Sequence, residues 1–343
     1  MSANKTAGKA KARILSPMAT GNGAYVVHRH LERSIQGYQL LPYHPYRTLF
    51  PVSLFPIGRN KKSSLIHTTP DYAYFHARRG IPLVLTFHNY VLDRFMRDYS
   101  SCLQNIHYQT DLKWLTKKAV NLASELTAVS QFTAKLVQTE LGLDRKIRVI
   151  YNGIDEAVFV PTSKPANQKN IKVLFSGNLS SRKGAQWLLP ILNKLNPNIS
   201  IYYTSGLRNV KALPAHPRLV NLGRVDYADM PALYRSADIL LFPTVREGFG
   251  LAAAEAMACG LPVVATDCSA LPELVDGEKG GFLCGLGDID DFAEKINLLA
   301  GNATLRREMG DYNREKVERL FTLKRMVAEY KALFEEASDQ LNF

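Results

Sequence analysis

Two carboxylates, Glu247 and Glu255, stand with seven residues between them in the segment EGFGLAAAE. An ionised carboxylate accepts two hydrogen bonds at once from neighbouring hydroxyls, so such a pair can hold two separate diols. Gly248, Phe249 and Gly250 form a flexible link, Leu251 to Cys259 is an alanine-rich stretch with high helix propensity, and Gly260 and Pro262 end it. Just upstream, Ile239 to Pro243 reads as a buried strand. A strand, a glycine loop and a helix N-terminus together expose free amides and the positive end of a dipole, which suits an anion such as phosphate at the C-terminal edge of a sheet. The amides of Phe249, Gly250 and Leu251 would do this work. Glu247 falls in the loop and Glu255 about one turn into the helix. The same residues also have a purely structural reading, in which the glycines only turn the chain and Glu247 only supports the helix start. A solvated face suits Glu255 poorly, because Ala252, Ala253, Ala254, Ala256, Met257 and Ala258 surround it with small apolar side chains, where an unpaired acid is costly.

Five further clusters carry possible chemistry. Arg182 and Lys183 lie in FSGNLSSRKG, which lacks the Gly-Lys-Ser/Thr spacing of a P-loop. His88 ends an apparent strand in Thr86-Phe87-His88-Asn89; a lone histidine is more often structural than catalytic. Thr20-Gly21-Asn22-Gly23 follows the opening strand, but Val26 occupies the third glycine position of a dinucleotide fingerprint and no acid stands about 20 residues on, so a nicotinamide cofactor is not expected. Gly223-Arg224-Val225 precedes a helix expected over 229–237. Asp288-Ile289-Asp290-Asp291 is the single candidate for a metal-binding acidic triplet and reads instead as an acidic helix N-terminus, so no metal is expected.

These groups need a scaffold, and the chain supplies an alternating one. Short apolar, β-branched runs open at Ile14 and recur at 82–87, 146–150, 172–175, 199–204, 239–243 and 262–266, with helical patterns between them. That alternation implies an α/β fold of doubly wound parallel sheets covered by helices on both faces. Both halves show it, and the proline-rich, nearly apolar-free stretch 160–168 reads as a linker. The expected domains are 1–160 and 161–320, with a C-terminal helix, 321–343, packing back on the first. Residues 305–337 read as one charged amphipathic helical stretch.

Composition narrows the function classes. The 343 residues, 46% hydrophobic and 22% charged, suffice for ordinary cores. No run approaches the roughly 18 apolar residues of a membrane span, and the basic N-terminus lacks an apolar signal core. Cys102, Cys259, Cys268 and Cys284 form no CxxC pair, so a reducing cytoplasm is expected. Residues 1–160 hold 21 Lys/Arg against 10 Asp/Glu, so nearly all of the net +12 sits there. Such a field attracts anionic partners, and the segment YHPYRTLFPVSLFPIGRNKK adds Phe50, Leu54, Phe55 and Ile57 to Arg47, Arg59, Lys61 and Lys62. An anionic membrane surface fits this mixture, although ordinary strand and loop fits it too. The basic residues carry no recognised RNA or DNA motif, and no nucleic-acid partner is expected.

The run EGFGLAAAEAMACGLPVVAT, with Leu271-Pro272-Glu273 beyond it, resembles the retaining glycosyltransferase family 4, whose signature is an acid, seven residues and a second acid. The resemblance extends over nearly the whole chain. It implies a GT-B architecture of two Rossmann-like domains facing across a cleft, the first for acceptor and the second for a nucleotide diphosphate sugar of UDP or GDP type. It further implies that Gly23 reaches over the diphosphate, that His88 contacts the donor sugar, and that Lys183 and Glu247 act at the reacting bond. Glu255 would take the ribose, and the backbone of Arg224 and Val225 would line the base. Relatives usually carry an arginine where Asn178 stands; either Arg182 replaces it, or the diphosphate is held by fewer charges and Arg182 stays on the surface. The implied reaction retains anomeric configuration without a metal or other cofactor. The implied acceptor is a saccharide or a lipid-linked molecule, as in cell-envelope glycan or glycolipid synthesis; it is the basic first half and its aromatic segment, rather than the resemblance, that would bring a cytoplasmic protein to the inner membrane face. Epimerases and phosphorylases share the fold and stay open as alternatives, as does, more remotely, an anionic-surface or nucleic-acid binding protein.

Overall fold

The computed structural model describes residues 13–163, 170–205 and 213–339; the linker residues 164–168 lie outside that range. By compactness the chain divides into two units. One comprises Met1–Thr86, His107–Thr127 and Glu329–Phe343, the other Phe87–Ile106 and Ala128–Ala328. Among the described residues twelve strands form two six-stranded sheets of parallel strands.

The first sheet holds β1 (Ile14–Ala19), β2 (Tyr38–Tyr43), β3 (Leu65–Thr68), β4 (Leu83–Phe87), β5 (Glu125–Ala128) and β6 (Arg148–Val149), in the order β2-β1-β3-β4-β5-β6. Ile14 pairs with Tyr38 on one side and Leu65 on the other. The helices linking these strands are α1 (Gly23–Ser34), α2 (Cys102–His107), α3 (Lys113–Leu122) and α4 (Gln131–Leu141), with a π-helical turn at Tyr108–Leu112 between α2 and α3. The second sheet holds β7 (Ile171–Phe175), β8 (Ile199–Tyr203), β9 (Leu219–Asn221), β10 (Ile239–Phe242), β11 (Val263–Thr266) and β12 (Gly281–Cys284), in the order β12-β11-β10-β7-β8-β9. Its helices are α5 (Leu188–Asn193), α6 (Met230–Ser236), α7 (Leu251–Ala258), α8 (Leu271–Leu274), α9 (Ile289–Gly301) and α10 (Ala303–Leu320), while α11 (Leu323–Asp339) passes into the first unit from Glu329 onward.

Side chains alternate across a strand, and the second sheet buries both sets. Val173, Phe175, Ile239, Leu241 and Val264 enter one apolar cluster, while Leu174, Leu240, Phe242, Val263 and Ala265 enter the other. This is why these strands read as unbroken apolar runs. The strand order reverses between β7 and β10, and in such sheets ligands bind at the C-terminal ends of the two strands flanking the reversal. The loops that leave those ends carry Lys183 and Glu247.

Several expectations change. β2, β3, β5, β9 and β12 have no counterpart in the sequence reading: polar residues or proline interrupt the first four, and β12 is the four-residue GFLC opened by glycine. The run 146–150 contributes only the two-residue β6. The expected continuous helical stretch 305–337 is two helices, α10 and α11. Phe321 accepts from the Ile154 N–H and Leu323 donates to the Ile154 carbonyl, each at 2.8 Å, so a passing strand segment opens the helix there. Gly153 makes that passage possible, since a Cβ on it would lie 2.6 Å from the Leu323 Cα. The segment 45–54 forms two 3-10 turns, Pro45–Leu49 and Pro51–Leu54, rather than strand.

Within the first unit a buried polar chain replaces part of the usual apolar core. The His28 Nδ1 lies 2.7 Å from the Ser16 hydroxyl and 2.8 Å from the Tyr38 hydroxyl, which in turn lies 2.9 Å from His67 Nδ1. His67 Nε2 meets the Thr86 hydroxyl at 2.8 Å, and Thr86 meets the Thr127 and Tyr330 hydroxyls at 2.6 and 3.1 Å. Each group in this chain thereby finds a partner, which links the C-terminal part of α11 to five strands, β1 to β5.

Candidate active site

The loop after β7 tightens into a 3-10 turn, Ser181–Lys183, ended by Gly184 in the left-handed region at φ 78°. Here glycine is required twice over, because a Cβ at Gly184 would lie 2.0 Å from the Pro243 carbonyl oxygen. That close approach seats the Lys183 turn on the end of β10. Val245 donates its N–H to the Arg182 carbonyl at 2.9 Å, closing the two loops together. Lys183 consequently donates from its ammonium to Glu247 Oε1, and its Nζ also stands 5.6 Å from the Phe242 ring centroid. The pair is partly buried, at 20% and 12% side-chain exposure, so solvent screens it weakly. The Thr244 hydroxyl lies 3.0 Å from the same carboxylate oxygen, and the Glu247 N–H donates to the Ser269 hydroxyl at 2.9 Å. Ser269 is held at φ 52°, a conformation that costs a non-glycine residue on the order of 1–3 kcal/mol and persists where its surroundings fix it.

His88 reaches this loop through its backbone. A Cβ on Gly248 would lie 1.9 Å from the His88 carbonyl oxygen, so only glycine lets the two segments touch. The His88 side chain is half-buried, and desolvation pulls its pKa from 6.5 down to about 3, which leaves a neutral imidazole at physiological pH. Arg246, two residues before Gly248, donates from Nη2 to Asp93 Oδ2 at 2.6 Å, both side chains being 6% exposed. The guanidinium carbon lies 4.9 and 5.1 Å from the Phe95 and Phe132 ring centroids. The sequence reading gave Arg246 and Asp93 no role; they are 153 residues apart and carry no local signal.

Gly250 caps α7 at φ 105° with no side-chain cap, leaving the first amides of the helix without an intrahelical partner. Phe249 is buried against Phe321 and Tyr151, at centroid distances of 5.4 and 6.1 Å, so it anchors the loop. Glu255 lies in the second turn of α7, only 5% exposed. Burial raises its pKa from 4.5 to about 7, against the opposing effect of hydrogen bonds from Tyr234 and Tyr227. The Tyr234 hydroxyl donates to Glu255 Oε2 at 3.0 Å and also reaches the Ser176 hydroxyl, at the end of β7, at 3.4 Å. Glu255 is therefore the buried acid its alanine neighbours implied, and its partners Tyr234, Tyr227 and Ser176 are additions from the structure. A fully buried tyrosine hydroxyl needs a partner, but sequence does not say which.

The remaining expected residues lie on other segments. Val225 packs on the α7 core and Arg224 is exposed in the loop after β9. Gly23 opens α1 in the other unit, where Asn22 caps the helix through the Tyr25 N–H at 2.8 Å. Asp288 caps α9 by accepting from the Asp291 N–H at 3.0 Å, and Asp290 pairs with Lys194, so the acidic run serves a helix start. The third part of the signature, Glu273, accepts from the Gln131 and Phe132 amides at 2.9 and 2.6 Å and from the Tyr151 hydroxyl at 3.1 Å, which makes it a cap for α4. In the first unit Tyr72, His107 and Asp111 form a chain of 3.0 and 2.9 Å contacts ending on the π-helical turn.

Comparison with known proteins identifies the family. Residues 10–158 match the family described as Glycosyltransferase Family 4, and residues 170–302 match Glycosyl transferases group 1. The chain is 24% identical over 329 residues to N-acetyl-alpha-D-glucosaminyl L-malate synthase of Bacillus anthracis, covering 88% of this chain and 82% of that one. It is 32% identical over 193 residues to D-inositol 3-phosphate glycosyltransferase of Corynebacterium jeikeium, covering 48% of this chain and 46% of that one. Sucrose-phosphate synthase from Thermosynechococcus elongatus superposes with a TM-score of 0.79 at 19% identity, over 94% of this chain and 98% of the other. HepE from Anabaena in complex with UDP-glucose superposes with a TM-score of 0.76 at 20% identity, over 95% and 100%. These two likenesses establish the shared fold, which is GT-B. With both family matches falling in order along the chain, the protein belongs to the group 1, family 4 glycosyltransferases and is a nucleotide-sugar glycosyltransferase.

Proposed function

We propose that the protein transfers a hexosyl group, with retention and without a metal ion, from a UDP or GDP sugar to a saccharide or lipid-linked acceptor of the cell envelope. The observation that carries this reading is the Lys183–Glu247 ion pair at the strand-order reversal of the second sheet. Breaking the glycosyl phosphate bond places negative charge on the departing diphosphate. Lys183, Arg182 and the open amides of Phe249, Gly250 and Leu251 answer that charge, so the chemistry has its electrostatic stabilisation from the chain itself. Glu247 Oε1 holds the Lys183 ammonium in place for the diphosphate, and its second carboxylate oxygen takes hydroxyls of the transferred sugar. Neutral His88 then serves as a hydrogen-bonding partner of that sugar rather than as a cation. Glu255 takes the ribose hydroxyls, the Arg224–Val225 backbone lines the base, and Gly23 is assigned to the diphosphate.

The relatives support the donor class. HepE is described in complex with UDP-glucose, and the Bacillus and Corynebacterium relatives are named for glucosaminyl transfer to malate and for glycosyl transfer to an inositol phosphate. A thermal-shift screen against UDP, GDP, ADP and their sugars tests the reading. The correct nucleotide at about 100 times its Kd stabilises the fold by about 2.7 kcal/mol. No shift with any of them would remove the assignment, and a requirement for added Mg²⁺ or Mn²⁺ after EDTA treatment would remove its metal-free part.

A further inference from the structure

The two 3-10 turns Pro45–Leu49 and Pro51–Leu54 present an unusual surface. Tyr46, Leu49, Phe50, Val52 and Phe55 are 75%, 72%, 77%, 74% and 52% exposed, whereas Leu54 between them is fully buried and pins the segment to its domain. Isolated exposed apolar residues are ordinary, but five in ten positions form a patch that a folded chain in water does not need. The backbone beneath them is satisfied locally: Arg47 donates to His44 at 3.0 Å, Phe50 to Arg47 at 3.2 Å, Ser53 to Phe50 at 2.8 Å and Phe55 to Val52 at 3.1 Å. Side chains on such turns can leave water without stranding peptide groups, the condition for entering a lipid interface.

Within this segment the charges have one sign, while Asp71 and Asp111 act on Tyr72, which hydrogen-bonds Thr48 of the first turn. From His44 to Lys62 the sequence has no Asp or Glu, and it carries Arg47, Arg59, Lys61 and Lys62. Arg59 lies over the Phe55 ring with its guanidinium carbon 4.0 Å from the centroid, which places a cation beside an apolar tip. Along the same unit the second turn contacts the turn Ala73–Phe75, and that turn contacts α3. There Tyr74 and Trp114, 6.2 Å apart and both exposed, continue the apolar surface, with Lys118 over Trp114 at 5.6 Å. Tryptophan and tyrosine beside cations are the side chains that settle at a membrane–water boundary.

We propose that this face docks the protein on an anionic lipid bilayer, with Leu49, Phe50 and Val52 entering the interface and the surrounding Arg and Lys side chains meeting phosphate headgroups. The complementary charge is what selects a lipid surface over a second protein. The proposal is independent of the transfer reaction.

The test is co-sedimentation of the full chain with phosphatidylcholine vesicles, with and without phosphatidylglycerol. Wild type binds the phosphatidylglycerol vesicles and is released as salt rises. L49S/F50S weakens that binding at least tenfold, as expected for withdrawing two large apolar side chains from the interface, with nucleotide binding and melting temperature unchanged. K61E/K62E weakens it while leaving the apolar tips in place. Equal recovery on neutral and anionic vesicles, undiminished binding by L49S/F50S, or a self-associated wild type that ignores vesicles and becomes monomeric in L49S/F50S would each overturn the proposal.

Discussion

Lys183 and Glu247 are ion-paired across a separation of 64 residues, with Thr244 holding the same carboxylate oxygen at 3.0 Å. Two groups joined in this way do not act independently. Lys183→Ala is expected to lower kcat by about 10² to 10³, as for loss of one preorganised donor, and Glu247→Gln to lower it too. The double variant should fall little below the worse single one, because each substitution already dissolves the pair. Steady-state kinetics on the three variants measures this, and fully multiplicative losses would show that the pair is incidental.

Glu247 and Glu255 are assigned to different parts of one donor, and bare nucleotide diphosphate separates them. Glu255→Gln should weaken UDP or GDP by roughly tenfold or more, about the 1.5–3 kcal/mol of a charged hydrogen bond. Glu247→Gln should leave that affinity nearly unchanged while damaging turnover and sugar discrimination. Calorimetry with the bare nucleotide decides; comparable loss in both variants contradicts the donor orientation.

The Glu255 carboxyl gives the ligand-free protein a pH signature. Its pKa is about 7 when folded against an ordinary 4.5, so folding favours the protonated form. The contribution is fully present below about pH 4.5 and is lost as pH rises through about 7, a difference of a few kcal/mol at most. Urea unfolding of wild type and Glu255→Gln across this range should show the wild-type advantage shrinking towards neutral pH. A constant difference would mean that the carboxyl is already ionised. Nucleotide hydroxyls donating to the ionised form act in the opposite sense, so wild-type nucleotide affinity should rise over the same interval and that of Glu255→Gln should not.

Asp93→Ala strands the Arg246 guanidinium in its slot between Phe95 and Phe132. Breaking a buried pair from one side costs about 3–5 kcal/mol, more than removing both charges. Chemical denaturation should therefore show Asp93→Ala strongly destabilised, with Asp93→Ala/Arg246→Met recovering most of the loss. If the double variant is as unstable as the single one, the charge is not what holds the Glu247 loop to the His88 segment.

What the sequence determined by itself is local. The 82–87, 172–175 and 239–243 strands were legible because both faces of their sheets are buried and the apolar runs are unbroken. The glycine loop with its helix start at Leu251 was legible because Gly250 and Gly260 each occupy left-handed positions that punctuate the chain. Glu255 could be read as a buried acid because its helix neighbours are alanines. Residues distant in sequence met only through the fold. The reversal of strand order brings Lys183 to Glu247, Tyr234 supplies its hydroxyl to Glu255 from 21 residues away, and Asp93 reaches Arg246 from 153. No periodicity encodes such partners, since their choice depends on which loops leave neighbouring strand ends. The break between α10 and α11 has the same origin: residues 305–337 have helical periodicity throughout, and only the Gly153–Ile154 segment crossing at Phe321–Leu323 takes up the backbone hydrogen bonds that a single helix would have kept.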